Sequence, residues 1–252
     1  MKKGLFMKKI LRVRNVSKKF GGRVATKNVS FDIEENSIVG LIGPNGAGKT
    51  VMFNLITGVN KLDSGEIYFN EKRIDNLRTD QIILKGVRRT FQLLRTFPNM
   101  TVLENLMFAM QDKELSKLLK PSGKQGVQDT ISEILNFVGL SHLKNEYAKN
   151  LSYGQVKLLS FACALAGHPE PKLFLLDEPF SGVNPVLAKK LMDNVLETKK
   201  RGKTFLIIEH NIKMIMGMCE KIIVLNLGEK IAEGKPIKIA KNKKVIDAYL
   251  GG

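Results

Sequence analysis

The chain has 252 residues, 43% of them hydrophobic, which suits one large domain or a core carrying a subdomain. No apolar run approaches the roughly 20 residues that cross a bilayer, Leu158 to Gly167 being about half that, so a helical membrane span is excluded. The net charge of +17, from 41 basic and 24 acidic residues, comes from scattered lysines with mild clusters only at the N-terminus and around Lys235 to Lys244, a solvated surface that would at most assist docking at an anionic membrane.

Met1 to Lys9 is basic without an apolar centre, so it reads as a tail and not as a signal peptide. Lys9 to Val16 and Val29 to Ile33 carry strand patterns, with Lys18-Lys19-Phe20-Gly21-Gly22 as a turn between them. Ser37 to Ile42 is apolar and short, as a buried strand is, and Lys49 to Thr57 has helical composition with a stop at Gly58.

Between that strand and helix lies Gly43-Pro44-Asn45-Gly46-Ala47-Gly48-Lys49-Thr50, a G-x-x-x-x-G-K-T loop of the Walker A type. Its glycines let backbone N–H groups converge on an anion, and the helix N-terminus adds a partial positive charge. That dipole contributes only about 0.3–1 kcal/mol. A full charge is needed as well, and Lys49 supplies it at the β- and γ-phosphates of a nucleotide, with the Thr50 hydroxyl placed for Mg²⁺. Phe20 is then either ordinary core or a flat ring on which an adenine stacks.

Asp63-Ser64-Gly65 turns into the strand Glu66 to Phe69, and Asn70 to Asn76 forms a polar turn. Val87 to Phe91 is a further strand, ending at Gln92. Helical periodicity runs from Thr101 to Met110 and from Val127 to Leu140, separated by a breaker-rich loop, Lys120 to Gly126. A helical insert of about residues 96–165 thus interrupts an α/β core. Leu151-Ser152-Tyr153-Gly154-Gln155 opens a helix, either as an ordinary cap or as a second anion-facing end presented to another subunit.

The α/β pattern resumes with the strand Lys172 to Leu176, which delivers Asp177 and Glu178. The helix Pro185 to Lys200 and the strand Thr204 to Ile208 follow, the latter ending at Glu209-His210. Met214, Met216 and Met218 are core filler in a helical stretch. Cys163 and Cys219 read as reduced core cysteines of a cytoplasmic chain, and His142 and His168 lack metal-ligand spacing. Alternating strands and helices imply a largely parallel sheet with ligands at the strands' carboxyl ends, where Gln92, Asp177, Glu178 and His210 all fall.

Taken together, these residues resemble the ATP-binding cassette (ABC) family across nearly the whole chain. Leu151 to Gln155 looks like its signature motif, with Tyr153 where the commonest version has glycine, and Asp177-Glu178 looks like Walker B. Gln92 matches the Q-loop, His210 the switch histidine and Phe20 the adenine-stacking aromatic. Arg89-Thr90-Phe91-Gln92, the stretch Pro98 to Leu106, the tyrosine-bearing signature and Ala248-Tyr249-Leu250-Gly251 are similar to the branched-chain amino-acid importer type.

The resemblance implies an α/β P-loop ATPase core with a mixed sheet, an N-terminal antiparallel β subdomain and an inserted α-helical subdomain. Residues 1–252 would form one cassette, with core and β subdomain at about 8–95 and 166–252 and the signature subdomain at about 96–165. It implies ATP and Mg²⁺ as cofactors. Asn45, Gly46, Ala47, Gly48, Lys49, Thr50 and Val51 would cradle the phosphates, while Thr50 and Gln92 complete the metal shell and Asp177 acts on it through water. Glu178 would be the general base, His210 would contact the γ-phosphate, and Lys49 and Gln92 would join them in catalysis. Ser152, Gly154 and Gln155 would complete the site of an opposing subunit.

The implied partners are two membrane permease subunits, a second copy or sister ATPase and, through the permease, an external solute-binding protein. Leu93 to Met100 would face the permease at the cytoplasmic side of the membrane, and no nucleic acid is expected. Asn184, where many cassettes have aspartate, and Val156-Lys157, where glutamine or arginine is frequent, are departures that bear on coupling between subunits. An importer for an amide or urea-type solute, or a cassette acting on nucleic acid or ribosomes, is the alternative.

Overall fold

The computed structural model describes residues 8–90, 96–110 and 121–250. Strands β1 (Lys9–Phe20) and β2 (Arg23–Glu34) form an antiparallel hairpin. Both strands run further than their patterns suggest, because only Gly21 and Gly22, at φ +50° and +81°, occupy the left-handed pair that a two-residue hairpin demands. Lys18, Lys19 and Phe20 therefore belong to β1 and not to the turn. Strands β4 (Ser64–Phe69) and β5 (Lys72–Arg73) complete a four-stranded sheet in the order β2-β1-β4-β5. The expected polar turn after Phe69 thus contains a short strand, entered through Asn70 and Glu71 at positive φ.

The second sheet has six strands in the order β10-β9-β3-β8-β7-β6. Here β3 is Ile38–Ile42, β6 Val87–Thr90, β7 Leu173–Asp177, β8 Thr204–Ile208, β9 Lys221–Asn226 and β10 Glu229–Gly234. All pairs are parallel except β9–β10. That terminal hairpin had no predicted counterpart. Nine helices among the described residues complete the chain: α1 (Lys49–Ile56), α2 (Thr79–Ile83), α3 (Val102–Ala109), α4 (Pro121–Val138), α5 (Tyr153–Ala166), α6 (Pro185–Lys200), α7 (Ile212–Met218), α8 (Pro236–Ala240) and α9 (Lys243–Leu250).

Helix α4 corrects an expectation. Residues 121–126 read as a breaker-rich loop, yet the helix begins at Pro121. Proline is tolerated in a first turn, and each internal glycine costs only about 1 kcal/mol. The apolar stripe Val127, Ile131, Leu135 and Val138, all at most 3% exposed, supplies the packing that holds the helix.

The inner strands β3, β7 and β8 of the six-stranded sheet bury both faces, and their residues alternate between two cores. Phe174, Leu176, Phe205 and Ile207 point to the core shared with α3, α4 and α5. Leu173, Leu175, Leu206 and Ile208 point to the core shared with the β1–β2 sheet and α1. Phe174 stacks on Phe205 at 5.0 Å between ring centroids, with Phe161 of α5 within 6.2 Å of Phe174. Met218 is buried, and Met214 and Met216 pack on the first core.

Candidate functional site

The glycine loop follows β3 and ends at the N-terminus of α1. Two of its glycines have no substitute. A Cβ at Gly43 would meet the Leu225 carbonyl at 2.1 Å, and one at Gly48 would meet the Ala25 carbonyl at 2.4 Å, with Gly48 at φ +97°. Close approach to β9 and β2 therefore sets the loop's shape. Lys49 is only 6% exposed, and its ammonium donates to the carbonyls of Gly43 (2.6 Å) and Pro44 (2.9 Å), arching back over the loop. Burial lowers its pKa, opposed by the charges of Glu178 and Asp177.

A cleft of about 600 Å³ opens here, lined by Arg23, Val24 and Ala25 of β2, by Asn45 to Val51, and by Glu178, His210 and Leu227. Asn45, Gly46, Ala47, Gly48, Lys49, Thr50 and Val51 thus share one cavity with Glu178 and His210. Phe20 is not among its lining residues. Its ring is 44% exposed and lies 5.3 Å from the Lys18 ammonium. Gln92 lies outside the described residues, as do Leu93 to Arg95 of the segment expected to face a permease. The rest of that segment is held from below: Asn105 of α3 accepts from Phe97 N and donates to the carbonyls of Phe97 and Thr101.

Asp177 closes β7, 2% exposed. Arg89 of the neighbouring strand β6 donates to Asp177 Oδ2 at 2.9 Å and to Asn54 Oδ1 of α1 at 2.6 Å, with its guanidinium 5.5 Å from the Phe53 ring. Burial raises the Asp177 pKa, with Arg89 pulling the other way. Asp177 Oδ1 is buried with no hydrogen-bond partner among the described residues. An orphaned carboxylate oxygen of this kind fits the water shell of a divalent cation carried by a nucleotide. The inward-bending loop and the buried ammonium fit the phosphates.

Glu178 adopts φ +48°, uncommon for a residue with a side chain. Its N–H donates to the Ile208 carbonyl at 2.9 Å, and its Oε1 lies 2.8 Å from His210 Nε2. Glu209 fixes this arrangement from beneath. It is 3% exposed, and its two oxygens accept from Phe180 N (2.8 Å) and from His210 N (3.0 Å). One carboxylate therefore anchors the turns that follow both β7 and β8.

Ser152, Gly154 and Gln155 do not line this cleft. Ser152 caps α5, and Gln155 returns its side chain to Ser152 N at 2.8 Å, forming a capping box. A Cβ on Gly154 would meet the Leu187 side chain at 2.6 Å. Asn184 caps α6 by accepting from Leu187 N at 3.0 Å, a role in which asparagine and aspartate are equivalent.

The sequence marks Arg89 only as part of a stretch similar to the branched-chain type, Lys157 only as a departure beside the signature, and Glu209 only as a strand end. Arginine was the available signal for the first, since Val87-Arg88-Arg89-Thr90 places two charges in a strand of a parallel sheet, where both faces are normally apolar. Glu209 had no signal beyond its place at a strand end.

Comparison with known proteins gives the following. The family description "ABC transporter" matches residues 26–181, and "Branched-chain amino acid ATP-binding cassette transporter" matches residues 229–252. A probable branched-chain amino acid transport ATP-binding protein LivG of Archaeoglobus fulgidus is 39% identical over 248 residues, 96% of each chain. The high-affinity branched-chain amino acid transport ATP-binding protein LivG of Escherichia coli K12 is 39% identical over 252 residues, 96% of this chain and 98% of that one. Among solved structures, a nucleotide-free ATP-binding cassette from an ABC transporter superimposes with a TM-score of 0.85 at 36% identity, covering 97% of this chain and 100% of the other. The ADP conformation of an ABC transporter cassette matches equally well, TM-score 0.85 at 36% identity, covering 97% and 99%.

Proposed function

This chain belongs to the ABC transporter family as one of its ATP-hydrolysing cassettes, and on that premise we propose that it powers an importer of branched-chain amino acids. The match of residues 229–252 to the branched-chain type supports that solute class over an amide or urea. The observation that carries the catalytic reading is the contact between Glu178 Oε1 and His210 Nε2, 2.8 Å, in the cleft that holds the glycine loop.

In this reading the loop amides and Lys49 hold the triphosphate of ATP, with Lys49 released from the Gly43 and Pro44 carbonyls to meet the β- and γ-oxygens. Glu178 accepts a proton from the attacking water, and His210 holds the Glu178 carboxylate and faces the γ-phosphate. Mg²⁺, when bound, neutralises charge on the β- and γ-phosphates. Thr50 and Gln92 would hold it, with Asp177 acting on it through water. Positioning and preorganised charge contribute most of the rate.

Ser152, Gly154 and Gln155, which do not line their own cleft, face the nucleotide of a second cassette, a copy or a sister chain. Pairing and separation of the two cassettes would then move permease subunits at the cytoplasmic side of the membrane, to which an external binding protein delivers the solute. Phe20 serves as the adenine platform beside Val24.

Glu178→Gln tests the reading. It is expected to keep ATP binding, to lose about 10²–10⁴-fold in turnover and to form a stable ATP-dependent pair, alone or with a sister chain. Turnover at the wild-type rate overturns the assignment of the base. Cells lacking the chain should lose uptake of labelled leucine, isoleucine and valine; unchanged uptake with loss of urea or amide import overturns the solute class.

A further inference from the structure

Lys157 stands two residues past the signature stretch, the fifth residue of α5, and is 6% exposed. A buried ammonium is costly unless it is hydrogen-bonded and compensated. Its Nζ donates to the main-chain carbonyl of Glu178 at 2.7 Å. Its charge sits in the field of Glu209, Glu178 and Asp177, which oppose the lowering of its pKa by burial. Four residues back on the same helix face, the half-exposed Tyr153 lays its ring 5.4 Å from the same ammonium.

Glu178 needs such a clamp. A non-glycine residue in the left-handed region costs about 1–3 kcal/mol and persists only where its surroundings over-determine it. The peptide groups of Glu178 are fixed on both sides: the N–H by Ile208 of β8, the carbonyl by Lys157 and, more weakly at 3.3 Å, by Ser181 N. Among the described residues Lys157 is the donor that reaches this carbonyl from the helical layer.

We propose that Lys157 is a positioning residue for hydrolysis: from the helix headed by Ser152 and Gly154, it holds the main chain of Glu178 in the turn that aims the carboxylate at His210. The link joins two sites within one subunit. The N-terminal end of α5 meets the nucleotide of the opposing cassette, and Lys157 carries its placement to the subunit's own base. This inference rests on the reading of Glu178 given above.

The test compares full-length wild type with Lys157→Met, Lys157→Arg and Glu178→Gln, measuring kcat, KM for ATP and thermal melting of each. Lys157→Met is expected to lose about tenfold or more in kcat with KM for ATP within about twofold, and Lys157→Arg, which keeps a charged donor, to recover kcat to within about threefold. Wild-type kcat in Lys157→Met, equal slowing in Lys157→Arg, or a rise in KM with kcat unchanged each overturns the proposal. Should Lys157→Met not fold, Lys157→Gln replaces it: slower turnover than Lys157→Arg supports the link, and equal turnover overturns it. If Glu178→Gln itself hydrolyses ATP at the wild-type rate, the underlying reading falls too; an inactive Glu178→Gln beside a wild-type Lys157→Met removes the link alone.

Discussion

Arg89 and Asp177, on the paired strands β6 and β7, form an ion pair at 2.9 Å with both side chains at most 7% exposed. The pair joins the strand leading to Gln92 to the strand that ends in Asp177-Glu178. Through its second nitrogen on Asn54, Arg89 also reaches the helix that the glycine loop opens. Three motif-bearing segments thus meet at one guanidinium.

Removing one partner of a buried pair leaves an uncompensated charge. Arg89→Met is expected to destabilise the protein by about 3–5 kcal/mol at pH 8. The Asp177 carboxyl, already raised in pKa by burial, would rise further without the arginine. A raised folded-state pKa contributes stability that is present below the unfolded value and lost as pH rises through the folded one. The loss in Arg89→Met should therefore shrink at pH 5. Urea unfolding at the two pH values checks this, and an equal loss at both would contradict it.

Glu209 accepts from three backbone donors, Phe180 N on one oxygen and His210 N with, at 3.4 Å, Asn211 N on the other, so Glu209→Gln keeps one acceptor and turns the other into a donor. Either Phe180 N or His210 N is left unpaired, at a cost of about 1–3 kcal/mol. Turnover should fall along with stability because the His210 turn loses its anchor. Chemical unfolding and steady-state ATPase rates measured on the same preparation decide it.

Gly48→Ala drives a methyl into the Ala25 carbonyl at a positive φ. The loop must shift against β2, and nucleotide binding is expected to be lost while the six-stranded core stays folded. Circular dichroism beside a fluorescent-nucleotide titration separates the two effects; wild-type affinity would refute the close approach.

Burial pushes the Cys163 thiol up to about 12, and burial with the adjacent Glu220 charge does the same for Cys219. Each contributes stability present below the unfolded value of 9.0 and lost as pH rises towards 12. Between these limits stability should fall by up to about 1.4 kcal/mol per pH unit for each thiol. Unfolding midpoints at pH 7.5 and 10.5 for wild type and the Cys163→Ala/Cys219→Ala double variant measure the difference, which should be steeper in wild type.

Local chemistry was legible in the residues themselves. A loop needing backbone N–H convergence must use glycine, and Gly43 to Thr50 is written in consecutive positions. The helix Pro185–Lys200 and the strand Thr204–Ile208 were read with the limits the structure has, because caps, periodicity and strand composition act over a few residues. The hairpin ending at Gly21-Gly22 and the helix starting at Pro121 were misjudged where local breakers competed with packing. The buried stripe from Val127 to Val138 outweighs the glycines, and a core 3% exposed is a property of neighbours.

What the linear chain determined was the order of the glycine loop, the strand-end carboxylates and His210. What only the tertiary structure decided was who stands beside whom: Arg89 under Asp177, Glu209 under His210, Lys157 on the carbonyl of Glu178. Those partners lie between 1 and 88 residues apart along the chain. Hydrogen bonds and charge compensation depend on distance in space, which folding sets after composition and periodicity have had their say.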